Sequence, residues 1–412
     1  MRLLYSIALF LLLPWALLHL LLRARRQPAY LEHVAERFGF PECAAEPSLI
    51  WIHAVSVGET RAAEPLINAL RRSHPEHRIL LTHTTPTGRQ TGIELFGNDV
   101  LRCYLPYDFP FAVKRFLRHF RPQVGIMMET EIWPNLIAHC HRHDIPVYLV
   151  NARMSEKSMR GYLRLRSLTS AALRTLAGIA AQGGLDAERL AKLGAGAVNI
   201  TGNIKFDREV PPQMLSLGDQ FRDWFGTRKV LLAASTREGE EALLLDMLEE
   251  INTTELLVVM VPRHPQRFDD VAALLGQRKW PFMRRSDNRP VGTGIKVVLG
   301  DSMGELFAYY AACDIAFVGG SLRPSGGQNL LEACAIGRPV IVGPHTFNFE
   351  EVTNSAIAAG AAMRVQDERE LGRAVQALLN DPDRRKHMSD AGKRFTELHR
   401  GATARTLELL KW

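Results

Sequence analysis

The sequence predicts an α/β protein of two doubly wound, parallel-sheet domains behind an N-terminal apolar helix. Three observations support this. Short apolar strands alternate with helical patterns from about residue 49 onward, the signature of a parallel sheet covered on both faces. The alternation breaks at Pro211-Pro212 and then restarts, as at a boundary between two units. Residues 3–22 form an apolar run broken only by Ser6, Pro14 and His19, long enough to cross a bilayer core.

At 412 residues the chain can hold two full cores. Its 46% hydrophobic and 23% charged residues belong to a globular protein rather than a disordered one. A net charge of +7 suits an anionic partner, with nucleic acid, anionic lipid and nucleotide all open on charge alone. Five scattered cysteines without a CxxC spacing indicate reduced thiols, not a disulfide framework.

The apolar run ends in Arg23, Arg25 and Arg26 rather than in small residues, which predicts an uncleaved anchor over residues 1–25. Positive flanking charge then places the rest of the chain in the cytoplasm. Two geometries stay open, a helix that crosses the bilayer and one that lies in a single leaflet with Pro14 as a kink.

In the first domain, residues 26–210, strands are expected at 49–55, 79–84, 124–128, 147–150, 178–181 and 198–201, with helices at 60–72, 111–120 and 185–193 between them. Residues 211–226 read as a linker. The second domain, 227–412, has strands expected at 230–234, 256–261, 297–299, 315–318 and 340–342 and closes on a basic helical segment from 381. Ligands of such sheets bind beyond the carboxyl ends of the strands, so a cleft between the domains is expected. This is the plan of the GT-B glycosyltransferase fold and of some sugar-nucleotide epimerases, and fold alone does not decide between them.

Six stretches at strand ends could carry chemistry. In His53–Thr60, HAVSVGET, Glu59 sits where it could take a proton from a hydroxyl, or merely favour a helix start. In METEIWPN, Glu129 and Glu131 follow a strand, and alternation in an extended segment would leave only one of them facing the site. Lys205 of GNIKFD could meet a carboxylate or phosphate, or be a solvated surface lysine. Arg263 of VPRHPQRF precedes a Pro-led helix start suited to an anion. In GDSMGELF, Asp301, Ser302 and Glu305 could act as caps. The turn GGSLRPSGGQNLLE, residues 319–332, runs from a strand into a helix and offers amides to a phosphate, without the spacing of a P-loop or a dinucleotide fingerprint. The dense tract His139, Cys140, His141, His143 and Asp144 reads as a helix end, not a metal site, since HExxH and paired CxxC are absent.

Taken in order, HAVSVGE, PYDFP, METEIWPN, NARMSEKS, GNIKFD, VPRHPQRF, GDSMGEL, FVGGS, GGQNLLE and GPHTFNFEEV resemble the 3-deoxy-D-manno-octulosonic acid (Kdo) transferases of lipopolysaccharide assembly over almost the whole chain. The resemblance implies a GT-B enzyme at the cytoplasmic face of the inner membrane that transfers Kdo from CMP-Kdo to a lipid A precursor with inversion. It implies no metal in the transfer step, no further cofactor and no nucleic acid. By resemblance Glu59 is the general base. Glu129 or Glu131, together with Lys205, supports the transition state. Pro262, Arg263, Met303, Gly304, Glu305, Asn329, Leu330, Leu331 and Glu332 line the CMP site, and the first domain takes the acceptor. Gln328 and Leu330 depart from the His and Pro that many members carry, a change that main-chain contacts survive. The rival classes are a sugar-nucleotide 2-epimerase and a non-catalytic lipid- or nucleotide-binding protein.

Overall fold

A computed structural model describes residues 1–251 and 256–412, the side chain of Arg26 excepted. The chain divides into two compact units, Met1–Arg208 with His399–Trp412, and Glu209–Leu398.

The first unit is built on a seven-stranded parallel sheet. Its strands are β1 (Leu49–His53), β2 (Arg78–His83), β3 (Val100–Tyr104), β4 (Val124–Met128), β5 (Val147–Ala152), β6 (Gly178–Ala181) and β7 (Asn199–Ile200), in the order β3-β2-β1-β4-β5-β6-β7. β1 and β4 are buried at every residue because helices cover both faces, so their apolar runs do not alternate. Strand order reverses between β1 and β4. That switch point is where open α/β sheets hold ligands, and HAVSVGE and METEIWPN leave the sheet on its two sides.

The second unit repeats the plan with β8 (Lys229–Thr236), β9 (Leu256–Pro262), β10 (Phe282–Arg284), β11 (Val297–Leu299), β12 (Ile315–Val318), β13 (Val340–Val342) and β14 (Ala362–Arg364), in the order β10-β11-β9-β8-β12-β13-β14. Its switch point falls between β8 and β12, and the turn 319–332 starts there. Two parallel sheets of this kind, with the apolar helix Arg2–Arg26 in front, make the chain a GT-B-type α/β protein. Among the described residues, that helix alone is long and apolar enough to cross a membrane.

Three strands go unread in the sequence: β3, β10 and β14. All three are sheet edges, where one side has no neighbouring strand and few apolar residues are needed.

Two domain boundaries also differ from expectation. Residues 211–226 are not a linker but hold the helix Pro212–Phe225, with Pro212 in its first turn, a position where Pro favours a helix. The helix buries Gly218, Phe221 and Phe225 in the second unit, and a Cβ at Gly218 would come within 2.5 Å of that of Ala311.

The last fourteen residues return to the first unit instead of closing the second. Asp207 accepts from the Gly401 amide at 2.6 Å and from that of Thr403, Arg405 donates to the Thr201 carbonyl at 2.8 Å, and Tyr148 donates to the Lys411 carbonyl at 2.6 Å. Asp207→Ala removes two charge-assisted bonds and is expected to cost about 1–3 kcal/mol. Hydrogen exchange should show lost protection confined to 399–412, and unchanged protection there would remove this role from Asp207.

Candidate active site

Glu59 lies in the first turn of the helix Val57–Ser73, directly after β1. Its carboxylate folds back to accept from the Val55 amide at 2.8 Å and from the Ser56 hydroxyl at 3.5 Å. That is the helix-start role foreseen as the plainer reading, yet it leaves one oxygen with only a long contact. Burial pushes the Glu59 carboxyl up to about 8, and the charges of Glu129 and Glu131 push the same way, while the Val55 amide and Lys205 oppose them. Carboxyls held near neutrality are the ones suited to proton transfer.

Lys205 Nζ meets Glu129 Oε1 at 2.7 Å, both side chains being largely covered. The lysine is therefore not a solvated surface group, and the backbone around it is pinned. Asn203 Oδ1 accepts from the Lys205 amide and Asn151 Oδ1 from the Ile204 amide, each at 3.0 Å. Gln182 in turn donates to the Asn151 carbonyl at 2.9 Å. Glu129 and Asn151, at the ends of β4 and β5, both take left-handed backbone angles, with φ of 58° and 51°. Such non-glycine conformations cost of order 1–2 kcal/mol and persist where surrounding bonds over-determine them.

The turn at Glu129 also breaks the alternation on which the sequence reading relied. The charges of Glu129 and Glu131 both raise the Glu59 carboxyl. Glu131 accepts from the Trp133 indole at 2.6 Å and lies 3.8 Å from His53 Nε2. His53 is buried and pushed down to about 3, first by desolvation and then by the neighbouring His83. It is thus a neutral ring, held through Nδ1 by the Thr82 hydroxyl at 2.9 Å.

In the second unit the expected nucleotide residues collect at the carboxyl ends of β9, β11 and β12, but several are already engaged. The amides of Gly320, Ser321 and Leu322, the first of the supposed phosphate cradle, donate to the buried carboxylate of Glu240 at 2.6, 2.9 and 2.9 Å. Gly327 N donates to the Gly320 carbonyl at 2.6 Å. Leu331 N, at the start of the six-residue helix Leu331–Ile336, is capped by Asn329 at 3.1 Å. Leu330 and Leu331 are buried, which leaves the main chain as their means of contact. The first amides of the cradle are therefore occupied by the protein itself. Arg263 Nε donates to Gln328 Oε1 at 3.2 Å.

Pro262 ends β9 and is buried, and the Arg263 amide bonds to the Thr236 carbonyl at 3.0 Å. Met303 is half exposed on the loop after β11, and Gly304 next to it takes a φ of 83°. Glu305 is held by Arg285 through two bonds at 3.1 and 3.0 Å and by the Ser302 hydroxyl at 2.6 Å. Glu332 is half-buried in the short helix. Gly326, with φ 92°, lies where a Cβ would meet the Asn348 amide group at 2.2 Å, which locks GGQNLLE to GPHTFNFEEV. Cys140 of the histidine-rich tract packs into the first unit's core.

A family model described as 3-deoxy-D-manno-octulosonic-acid transferase (kdotransferase) matches residues 32–208, and one described as glycosyl transferases group 1 matches residues 256–395. A 3-deoxy-D-manno-octulosonic acid transferase of Bordetella pertussis is 45% identical over 99% of this chain and 98% of its own length. The chain belongs to the 3-deoxy-D-manno-octulosonic acid transferase family. A second Kdo transferase, from Haemophilus influenzae, is 40% identical over the whole of this chain and 98% of its own. Among solved structures, a UDP-GlcNAc 2-epimerase from Neisseria meningitidis superposes with a TM-score of 0.59 over 88% of this chain and 99% of its own, at 16% identity. That likeness shows the fold alone.

Three supporting groups escaped the sequence reading. His53 and Asn151 lie inside the quoted motifs HAVSVGE and NARMSEKS, and Gln182 lies just past the end of β6. A polar residue at the carboxyl end of an otherwise apolar strand was the signal for the first two. Gln182 carried none, because its role depends on β6 lying beside β5.

Proposed function

We propose that the protein transfers Kdo from CMP-Kdo to a sugar hydroxyl of a lipid A precursor, inverting the anomeric carbon, with Glu59 as the general base. The observation that carries this reading is the Glu59 carboxyl, pushed to about 8 beside the Lys205–Glu129 pair at the end of β1. A base of that strength takes a hydroxyl proton as the oxygen attacks. The first unit receives the acceptor. In the second unit Arg263 balances the negative charge that grows on the departing CMP phosphate, aided by main-chain contacts of Met303–Glu305 and Asn329–Glu332. Lys205 steadies the charge next to the reacting sugar, whose donor carries a carboxylate at the anomeric carbon. The apolar helix Arg2–Arg26 and the exposed cations Lys114, Arg115 and Arg118 bring the enzyme to an anionic membrane surface, the cytoplasmic face of the inner membrane.

The test is mass spectrometry of the product made from CMP-Kdo and a purified lipid A precursor. A mass gain of one or more Kdo units supports the proposal, and unchanged lipid after complete turnover of other controls refutes it. Lys205→Met should move the ascending limb of the pH–rate profile upward, because Lys205 lowers the Glu59 carboxyl and its loss leaves only the Val55 amide to oppose burial and the two glutamates. The rate near neutral pH should drop about 10²-fold. A profile with an unmoved limb would dissociate Lys205 from the base.

A further inference from the structure

We infer that the helix Arg2–Arg26 does not cross the bilayer but lies along the first unit, in the plane of one leaflet, with one long face in the lipid. The inference rests on the membrane association proposed above and goes on to its geometry.

The start of the helix is held on the body of the first unit, and its other end packs on the turn Pro28–Leu31 that follows it and leads into that unit. Near its start, Tyr5 donates to Asp108 at 3.1 Å, and Ser6 and Asn135 exchange bonds at 3.0 and 3.3 Å. Asp108 and Asn135 are almost wholly buried, and these are built contacts: Asp108 also accepts the amides of Asn135 and Leu136 at 2.9 and 2.7 Å. The Phe10 ring packs tilted against Phe109 at 5.0 Å and stacks on Phe111 at 6.0 Å. Near the other end Leu20 and Ala24 are buried, and Arg23 lies over the Tyr30 ring at 5.6 Å.

Burial follows one stripe between those ends. Ser6, Leu9, Leu13, Ala16, Leu20 and Ala24 are wholly or partly covered, at steps of three or four residues, one face of a helix. Leu4, Leu11, Trp15, Leu18 and Leu22 on the other side are exposed, from 49% to 77%. In a spanning helix residues 5 and 24 would be separated by about 28 Å along the membrane normal. Only one of them could then touch a unit that sits in water. A helix whose start is held on the unit into which its end leads lies beside that unit and turns its exposed apolar side chains to a single leaflet.

The occupant is a leaflet rich in anionic phospholipid, because cations border the apolar face. Arg25 is exposed at one end, and Lys114, Arg115 and Arg118 are exposed on the helix Pro110–Phe120, whose start stacks on Phe10. Each such cation strengthens the attraction to an anionic surface.

The full-length protein should be placed in vesicles of phosphatidylethanolamine and phosphatidylglycerol carrying brominated acyl chains, and the fluorescence of Trp15 isolated as wild type minus Trp15→Phe. Quenching of Trp15 is expected to be roughly twofold stronger with bromines near the glycerol than with bromines near the chain ends, since an interfacial helix sits about 5–10 Å deep. Strongest quenching at the chain ends overturns the inference, because Trp15 would be central in a spanning helix. A Ser6→Cys, Asn135→Cys pair oxidised in detergent gives an independent arm. The cross-linked protein should still float with the vesicles and retain transfer activity, whereas flotation only after reduction also overturns it. Where oxidation fails to join the pair, the depth of Trp15 alone decides. Loss of Kdo transfer with shallow Trp15 quenching would sink the catalytic proposal and leave this one standing.

Discussion

Glu59→Gln is expected to lower kcat for Kdo transfer about 10²–10⁴-fold, the range for loss of a positioned general base, with CMP affinity unchanged. Gln keeps the size of the side chain and an oxygen that can accept from the Val55 amide, but it cannot take a proton. The wild-type rate should rise with pH towards about 8, the value to which burial and the two neighbouring glutamates push this carboxyl, and the residual rate of the variant should lose that limb. Stability supplies a second readout. The folded-state carboxyl sits above the ordinary value near 4.3, so the folded protein binds the proton more tightly than the unfolded chain. The stability this confers is present in full below the unfolded value and is lost as pH rises through about 8. Gln mimics the protonated form, so the variant's Tm should gain on the wild type between those two pH values. A variant with wild-type kcat removes Glu59 from the chemistry. One whose Tm falls at every pH has lost structure, not a base.

Glu240→Gln is expected to destabilise the second unit by about 3–5 kcal/mol, although the side chain changes by one atom type. The carboxylate is fully buried and accepts four amides: Arg237 and Gly320 at one oxygen, Ser321 and Leu322 at the other. A glutamine must turn its NH2 towards two of these donors, leaving N–H facing N–H without water. Because those amides form the first half of the turn after β12, CMP affinity should fall together with stability. Denaturant unfolding followed by hydrogen exchange separates the units. Lost protection in 209–398 with 1–208 unchanged is the expected pattern, and a destabilisation below about 1 kcal/mol would show that other groups hold the turn.

The two glutamates differ in how much of their role the sequence reveals. Glu59 is legible because a strand, a Gly-containing loop and an acidic first helical turn follow one another directly, so local rules place it at the sheet's carboxyl edge. Glu240 reads only as an acidic first turn of the helix Glu240–Glu250. The amides it holds lie eighty residues away along the chain, beyond any local pattern. The start of the glycine-rich turn follows the same rule: its composition suggests open amides, and Glu240 from another segment takes those of Gly320, Ser321 and Leu322.

By itself the sequence determined the two parallel sheets, the strands at their centres, the motifs at their carboxyl ends and the family, since buried runs, turn residues and motif order are properties of neighbouring positions. The tertiary structure alone decided which groups are charged, paired or already satisfied. It set Lys205 against Glu129, brought the charges of both METEIWPN carboxylates to bear on the Glu59 carboxyl, returned residues 399–412 to the first unit, and held the start of the apolar helix on that unit. Protonation, hydrogen-bond saturation and docking depend on what approaches through space, and low-dielectric burial turns those approaches into energies that no local stretch of sequence contains.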